Sequence, residues 1–229
     1  MAAKRKQITK PGAPHPQAAK PPAATTIKPA SSIKRTSSIN PTSRFAKPKL
    51  ISSKLTYKGR VFSVFTDKVE EPSGFVHTRD VIRHNGSVVI LAVDESKNPA
   101  DPEIILIRQY RHAAGQFLIE LPAGRVDANE ATLAAAKREM IEETGYRAKR
   151  WTLLIKYFAS PGFLGEWMQI YLARDLREGT ATPEPDENIE IFRLPLSEAL
   201  ALITANKIHD GKTLIGLMLY DSARRAGRI

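Results

Sequence analysis

The chain has 229 residues, of which 42% are hydrophobic, a formal net charge of +11 and no cysteine. The length suits one sizeable domain or two small ones. Without cysteine there are no disulfides, thiolate metal sites or cysteine nucleophiles, so any metal must be held by carboxylates, carbonyls or histidine, and a reducing, cytoplasmic setting is expected. No apolar run is long enough to span a bilayer, and no secretory signal is visible, so no membrane partner is expected.

The charge is concentrated at the start. Residues 1–50 hold 11 Lys and Arg and no acid; removing those from the 35 basic residues leaves 24 to balance 24 acidic ones. The same stretch is rich in Pro, Ala, Ser and Thr and poor in large apolar residues, so it cannot bury enough surface to offset its ordering entropy. It is expected to be a disordered basic tail, with the folded domain in 51–229. The neutral domain gives no reason to expect nucleic-acid binding; only the tail offers the charge for it.

From about residue 54 the pattern changes. Val61–Val69, Phe75–His84 and Ser87–Asp94 read as strands, separated by turns at Glu71-Pro72-Ser73-Gly74 and Asn85-Gly86. The run Val88 to Val93 is apolar throughout, as in a strand covered on both faces. Glu103–Arg111 and Phe117–Leu121 follow as strands. Glu130–Glu143 reads as a helix with Leu133, Ala136, Met140 and Ile141 at helical spacing, and Gly145 stands where its stop belongs. Strands are expected near Trp151–Phe158 and Trp167–Ala173, then a loop of Gly, Thr, Pro and acids at 179–187, then a strand over Ile189–Leu194. Ser197 is positioned to cap a helix through Lys207, and Asp210 a last helix through about Ala226. The pattern is that of one α+β domain with a mixed sheet and helices on its faces.

The chemistry concentrates in Gly124–Tyr146, GRVDANEATLAAAKREMIEETGY. Residues three and four apart share a helix face, so Glu139 and Glu143 project together with Glu142 beside them. Three converging carboxylates repel one another unless a cation joins them, and a hard divalent ion prefers such oxygen ligands. Arg138 can pair with a neighbouring carboxylate and hold its rotamer. A Glu-rich helix end with basic neighbours is ordinarily a solvated face. Here the full spacing resembles the Nudix box, G-x5-E-x7-R-E-U-x-E-E-x-G-U, in which U is bulky and apolar. Gly124, Glu130, Arg138, Glu139, Met140, Glu142, Glu143 and Gly145 fall in place, and Tyr146 alone departs mildly.

The resemblance covers roughly residues 54–222. It implies an α/β/α sandwich with a mixed β-sheet, and metal-dependent hydrolysis of a nucleoside diphosphate linked to another group. It implies Mg²⁺, with Mn²⁺ as substitute, held by Glu139, Glu142 and Glu143 with the carbonyl of Ala123; Glu139 and Glu143 are central, and Glu130 is structural. Further features resemble the ADP-ribose pyrophosphatases. Ile107-Arg108-Gln109-Tyr110-Arg111 precedes Glu120-Leu121-Pro122-Ala123-Gly124, and an arginine there, Arg108 or Arg111, suits phosphate oxygens; Arg79 is a weaker candidate. Pro161, followed by Gly162, lies sixteen residues past Gly145. The acidic loop supplies Glu187 as the implied catalytic base, with Glu190, Asp186 and Glu166 in reserve and Glu166 also a candidate substrate contact. Phe62 and Phe65 are candidates to stack on adenine. The five histidines show no ligand spacing. Many relatives are dimers in which each site is completed by the partner's N-terminal strands, so a homodimer acting on a nucleotide sugar is expected. The alternatives are a GDP-mannose-type hydrolase, a nucleotide-binding protein without turnover, and an RNA-processing hydrolase using the tail.

Overall fold

A computed structural model of the chain describes residues 46–182 and 188–229. The expected basic segment therefore lies almost wholly outside the described residues, as do Glu184, Asp186 and Glu187. Among the described residues are ten strands and three helices. Strands β1 (Lys49–Lys58), β2 (Ser63–Glu70) and β3 (Val76–Arg83) form a three-stranded antiparallel sheet in that order. The main sheet runs β10-β5-β4-β9-β8, built from β4 (Ser87–Asp94), β5 (Glu103–Arg111), β8 (Arg147–Phe158), β9 (Trp167–Arg177) and β10 (Ile189–Pro195). The short strands β6 (Gln116–Glu120) and β7 (Ala123–Arg125) pair with β5 and β4. The β4–β9 pair is parallel and the rest of the sheet antiparallel, so the expected mixed sheet is present.

The apolar run in β4 explains the layering. Successive side chains on a strand face opposite ways. Val89, Leu91 and Val93 join Leu121, Leu196, Leu217 and Tyr220 on the side of α2 (Leu196–Thr204) and α3 (Gly211–Arg225). Val88, Ile90 and Ala92 meet Ala135, Ala136 and Met140 of α1 (Thr132–Thr144) on the other. All six β4 residues are fully buried. Helices on both faces of the sheet make the expected α/β/α sandwich.

The sheet is split where the chemistry lies. β4 pairs with β5 only at Val93 and Asp94, while its start pairs with β7, and the Ile90 N–H bonds to the Pro122 carbonyl at 2.8 Å. The segment from Glu120 to Arg125 is thereby wedged between two strands and brought under α1. Helix α1 ends as the glycine suggested: Gly145 is left-handed at φ 74, and its N–H bonds to the Ile141 carbonyl at 2.8 Å. Asp210 caps α3 through the Thr213 N–H at 3.0 Å.

Two local expectations need correction. Strand β1 begins at Lys49, just ahead of the expected boundary, and all ten of its residues are exposed, so it carries no inward/outward alternation. Ser197 does not cap α2. It lies inside the helix, and its N–H and hydroxyl both bond to Asp101, at 2.9 and 2.6 Å, so the capping carboxylate comes from a distant loop. No helix among the described residues is long and apolar enough to cross a membrane.

Candidate active site

The box segment folds around Arg138. Its Nε and Nη2 bond to the two oxygens of Glu130, at 3.1 and 3.0 Å, and Nη1 to Glu139 at 2.8 Å and Glu142 at 2.9 Å. Nη2 also bonds to the Arg125 carbonyl at 3.1 Å. Its bonds to Glu130, then the charge of Glu139 and the bonds to Glu139 and Glu142, raise the guanidinium pKa above its ordinary value against the opposing pull of burial. Glu130 also accepts the Asp127 N–H at 3.1 Å. It thus ties the loop to the helix, the structural part implied for it.

The carboxylates are set at two depths. Glu143 is buried and accepts the Ala123 N–H at 2.9 Å. Glu139 lies against the backbone of Gly124, where a Cβ would stand 1.9 Å from its carboxyl carbon. Glu139 and Glu142 line a cavity of about 390 Å³ together with Ala123, Gly124, Arg111 and Glu166. Among the described residues no three acidic or histidine groups already form a cage for an ion. The donors are nonetheless all hard oxygens, and Gly124 leaves Glu139 room against its backbone, which fits a divalent cation.

A second cluster faces this one. Arg111 grips Glu120 with Nε and Nη2, both at 2.8 Å. Lys212 pairs with the same carboxylate and with Asp210 at 3.0 Å. Burial pushes the Glu120 carboxyl up, but the bonds from Arg111 and the charge of Lys212 outweigh it and hold the group below its usual range. The Arg111 pKa is correspondingly raised, chiefly by its bonds to Glu120. Arg111 and Lys212 both line the cavity, so two cations face the carboxylates of α1.

The remaining sequence candidates are dispersed. Glu166 lines the cavity and accepts the Ser87 hydroxyl at 2.6 Å. Arg108 is exposed, pairs with Glu190 at 3.4 Å and lies over the Phe117 ring. Arg79, Pro161 and Gly162 share a separate groove with Glu71 and Phe158, where Arg79 pairs with Glu71 at 3.4 Å. Within one chain these three are not brought to the box. Phe65 lies under the Arg83 guanidinium at 3.9 Å, and Phe62 lines a neighbouring cleft. Glu120, Lys212, His84 and Ser87 were not singled out from the sequence. Lys212 follows a helix cap and reads as an ordinary first-turn residue; its counter-charge is 92 positions away.

The NUDIX domain family model matches residues 83–214. The chain belongs to the Nudix family. Among curated relatives of this Nudix protein is the "Methanol dehydrogenase activator" of Bacillus methanolicus, 34% identical over 171 residues, covering 74% of this chain and 90% of that one. The "ADP-ribose pyrophosphatase" of Bacillus subtilis is 34% identical over 168 residues, 72% of this chain and 88% of the relative. The "GDP-mannose pyrophosphatase" of Citrobacter koseri is 36% identical over 162 residues, 63% of this chain and 81% of the relative. The "Crystal structure of ADP compounds hydrolase" shares the fold, with a TM-score of 0.69 at 23% identity over 82% of this chain and 100% of that one. Nudix hydrolases generally need a divalent metal, in keeping with the oxygen donors of α1.

Proposed function

We propose that this Nudix protein hydrolyses the pyrophosphate bond of a nucleoside diphosphate linked to a sugar, with ADP-ribose as substrate and AMP and ribose 5-phosphate as products. The observation that carries the reading is one cavity in which the box carboxylates Glu139 and Glu142 face the cations Arg111 and Lys212. A pyrophosphate needs both: cations for its outer oxygens and carboxylates to hold the metal at the reacting phosphorus. Glu139, Glu142 and Glu143, with the Ala123 carbonyl, would hold Mg²⁺ or Mn²⁺, which polarises a phosphoryl oxygen and acidifies water. Arg138 orients Glu139 and Glu142, and Gly124 gives Glu139 its place. Glu187, from the acidic loop, is proposed as the base that takes the proton of the attacking water; Glu166, already on the cavity wall, is the described alternative.

We also propose a homodimer. Leu50, Ile51, Leu55 and Tyr57 of β1 and Phe75 near β3 are all exposed, an apolar surface that a second copy would cover. The groove holding Arg79, Pro161 and Gly162 has exposed Phe158 and Phe163 beside it, and would then contribute from the interface. Sedimentation checks this: Leu55→Asp is expected to shift the protein to monomer.

Incubation with a panel of nucleoside diphosphate esters and Mg²⁺, with products read by mass, tests the function. ADP-ribose is expected to yield AMP and ribose 5-phosphate, and chelation to stop the reaction. A preference for GDP-mannose would transfer the proposal to the activity named for the Citrobacter relative.

A further inference from the structure

One wall of the cavity lies outside the box helix and the cluster of Arg111, Glu120 and Lys212. It is built by His84, by Ser87 at the start of β4 and, 79 positions beyond Ser87, by Glu166 just before β9. The Ser87 hydroxyl donates to Glu166 Oε1 at 2.6 Å, and His84 Nδ1 stands 3.7 Å from that oxygen. The same nitrogen is engaged by its own turn, accepting the Gly86 N–H at 3.0 Å. Gly86 is at φ +92 with the Trp167 ring packed on it so closely that a Cβ would stand 2.2 Å from a ring carbon. A side chain at position 86 would therefore disturb the turn that holds the imidazole.

This geometry sets the tautomer. A nitrogen that accepts the Gly86 N–H carries no proton, so the neutral ring holds its proton on Nε2. Nε2–H is then the one donor left on the ring, and His84 lines the cavity. The Glu166 carboxylate, which accepts only, and the Ser87 hydroxyl line the same cavity next to the ring. An acceptor next to a fixed donor matches a hydroxyl group, which gives one hydrogen bond and takes another. Phosphate, which only accepts at this wall, is repelled by Glu166 and attracted to Arg111 and Lys212, which line the same cavity.

We propose that His84, with Glu166 and Ser87, recognises hydroxyl groups of the sugar on the far side of the pyrophosphate, and so sets a preference for nucleoside diphosphate sugars over esters lacking hydroxyls. The proposal rests on the hydrolase reading above. His84 is a specificity-determining residue in it, with no part in moving the reaction's protons.

Two substitutions separate this role from a structural one. Asn places its carbonyl oxygen near the position of Nδ1, so His84→Asn keeps an acceptor for Gly86 and loses the Nε2 donor. Gln reaches further, so His84→Gln restores an N–H near Nε2 and loses the turn contact. The readout is kcat/KM for ADP-ribose divided by kcat/KM for the methyl ester of ADP. Losing one hydrogen bond to a bound hydroxyl should lower this ratio about tenfold in His84→Asn. His84→Gln should return it to within about threefold of wild type. A wild-type ratio in His84→Asn, an equal loss on both substrates, or a worse ratio in His84→Gln than in His84→Asn overturns the proposal. Wild-type protein that cleaves neither substrate overturns the hydrolase reading instead. Calorimetry with ribose 5-phosphate, which needs no turnover, then judges His84 alone: weaker binding in His84→Asn with methyl phosphate unaffected supports the wall, and unchanged ribose 5-phosphate binding overturns it.

Discussion

Gly124→Ala isolates catalysis from stability at a single methyl group. The added Cβ would stand 1.9 Å from the Glu139 carboxyl carbon and 2.0 and 2.3 Å from its oxygens, against an ordinary contact of 3.4 Å or more. The carboxylate must therefore retreat by about 1.5 Å. It is the end of a flexible side chain, so the retreat costs the fold roughly 0.5–1.5 kcal/mol of rotamer strain. Gly124 carries no positive φ, so alanine recovers about 0.4–1 kcal/mol through the unfolded state. The two effects nearly cancel, and the midpoint of urea unfolding should move by less than the equivalent of ~1 kcal/mol. Activity has no such compensation. A displacement of about 1 Å in a reacting constellation can cost roughly 10²-fold, so kcat on ADP-ribose at saturating Mg²⁺ should fall about 100-fold or more. Stopped assays for kcat and urea titrations on the same preparation read both quantities. A kcat within threefold of wild type would refute the placement of Glu139, and a large loss of stability would show that the glycine serves the backbone instead.

Glu143→Gln keeps the side chain's size and its acceptor for the Ala123 N–H but removes a charge from the box; kcat should drop at least about 100-fold with circular dichroism unchanged. Glu120→Ala leaves Arg111 and Lys212 without their shared carboxylate. Breaking a buried pair costs about 3–5 kcal/mol, and the partial exposure of Arg111 places the expected loss near the lower figure, read by urea unfolding at pH 7. Because the folded Glu120 carboxyl titrates below its ordinary value of 4.5, its contribution is fully present above that pH and is lost as the pH falls through the folded value. Wild-type stability should therefore decline more steeply than that of Glu120→Ala below pH 4.5, and parallel curves would contradict the assignment. Deleting residues 1–45 should leave kcat and Tm unchanged, since β1 starts at Lys49, and a lower Tm would contradict it.

Much of the fold and site is legible where local rules and burial agree. The unbroken apolar run in β4 could announce a strand covered on both faces because each of its side chains is needed by one of two cores. The box spacing could announce α1 and its carboxylates because three- and four-residue separations fix a helix face whatever lies around it. Legibility fails where partners are distant in sequence. Strand β1 is exposed along its whole length, so backbone pairing with β2 defines it and its side chains carry no burial signal. Asp101 displaces Ser197 as the source of the α2 cap from 96 residues away. Glu120 and Lys212 read as unremarkable until the fold brings them together over a similar separation. His84 has no ligand spacing because its partners are its own turn and Glu166, a residue just before β9. The Arg79, Pro161 and Gly162 candidates do share a groove, but chain topology puts it apart from the box.

The central claim is that this Nudix protein cleaves a nucleoside diphosphate sugar with ADP-ribose preferred. A single competition decides it: ADP-ribose and GDP-mannose at equal concentration with Mg²⁺, each product followed by mass over time, so that relative product formation reports the ratio of kcat/KM. The account predicts AMP and ribose 5-phosphate accumulating at least about tenfold faster than the products of GDP-mannose, with neither formed by Glu139→Gln. Equal or inverted rates, or ADP-ribose cleavage that survives Glu139→Gln, would contradict it.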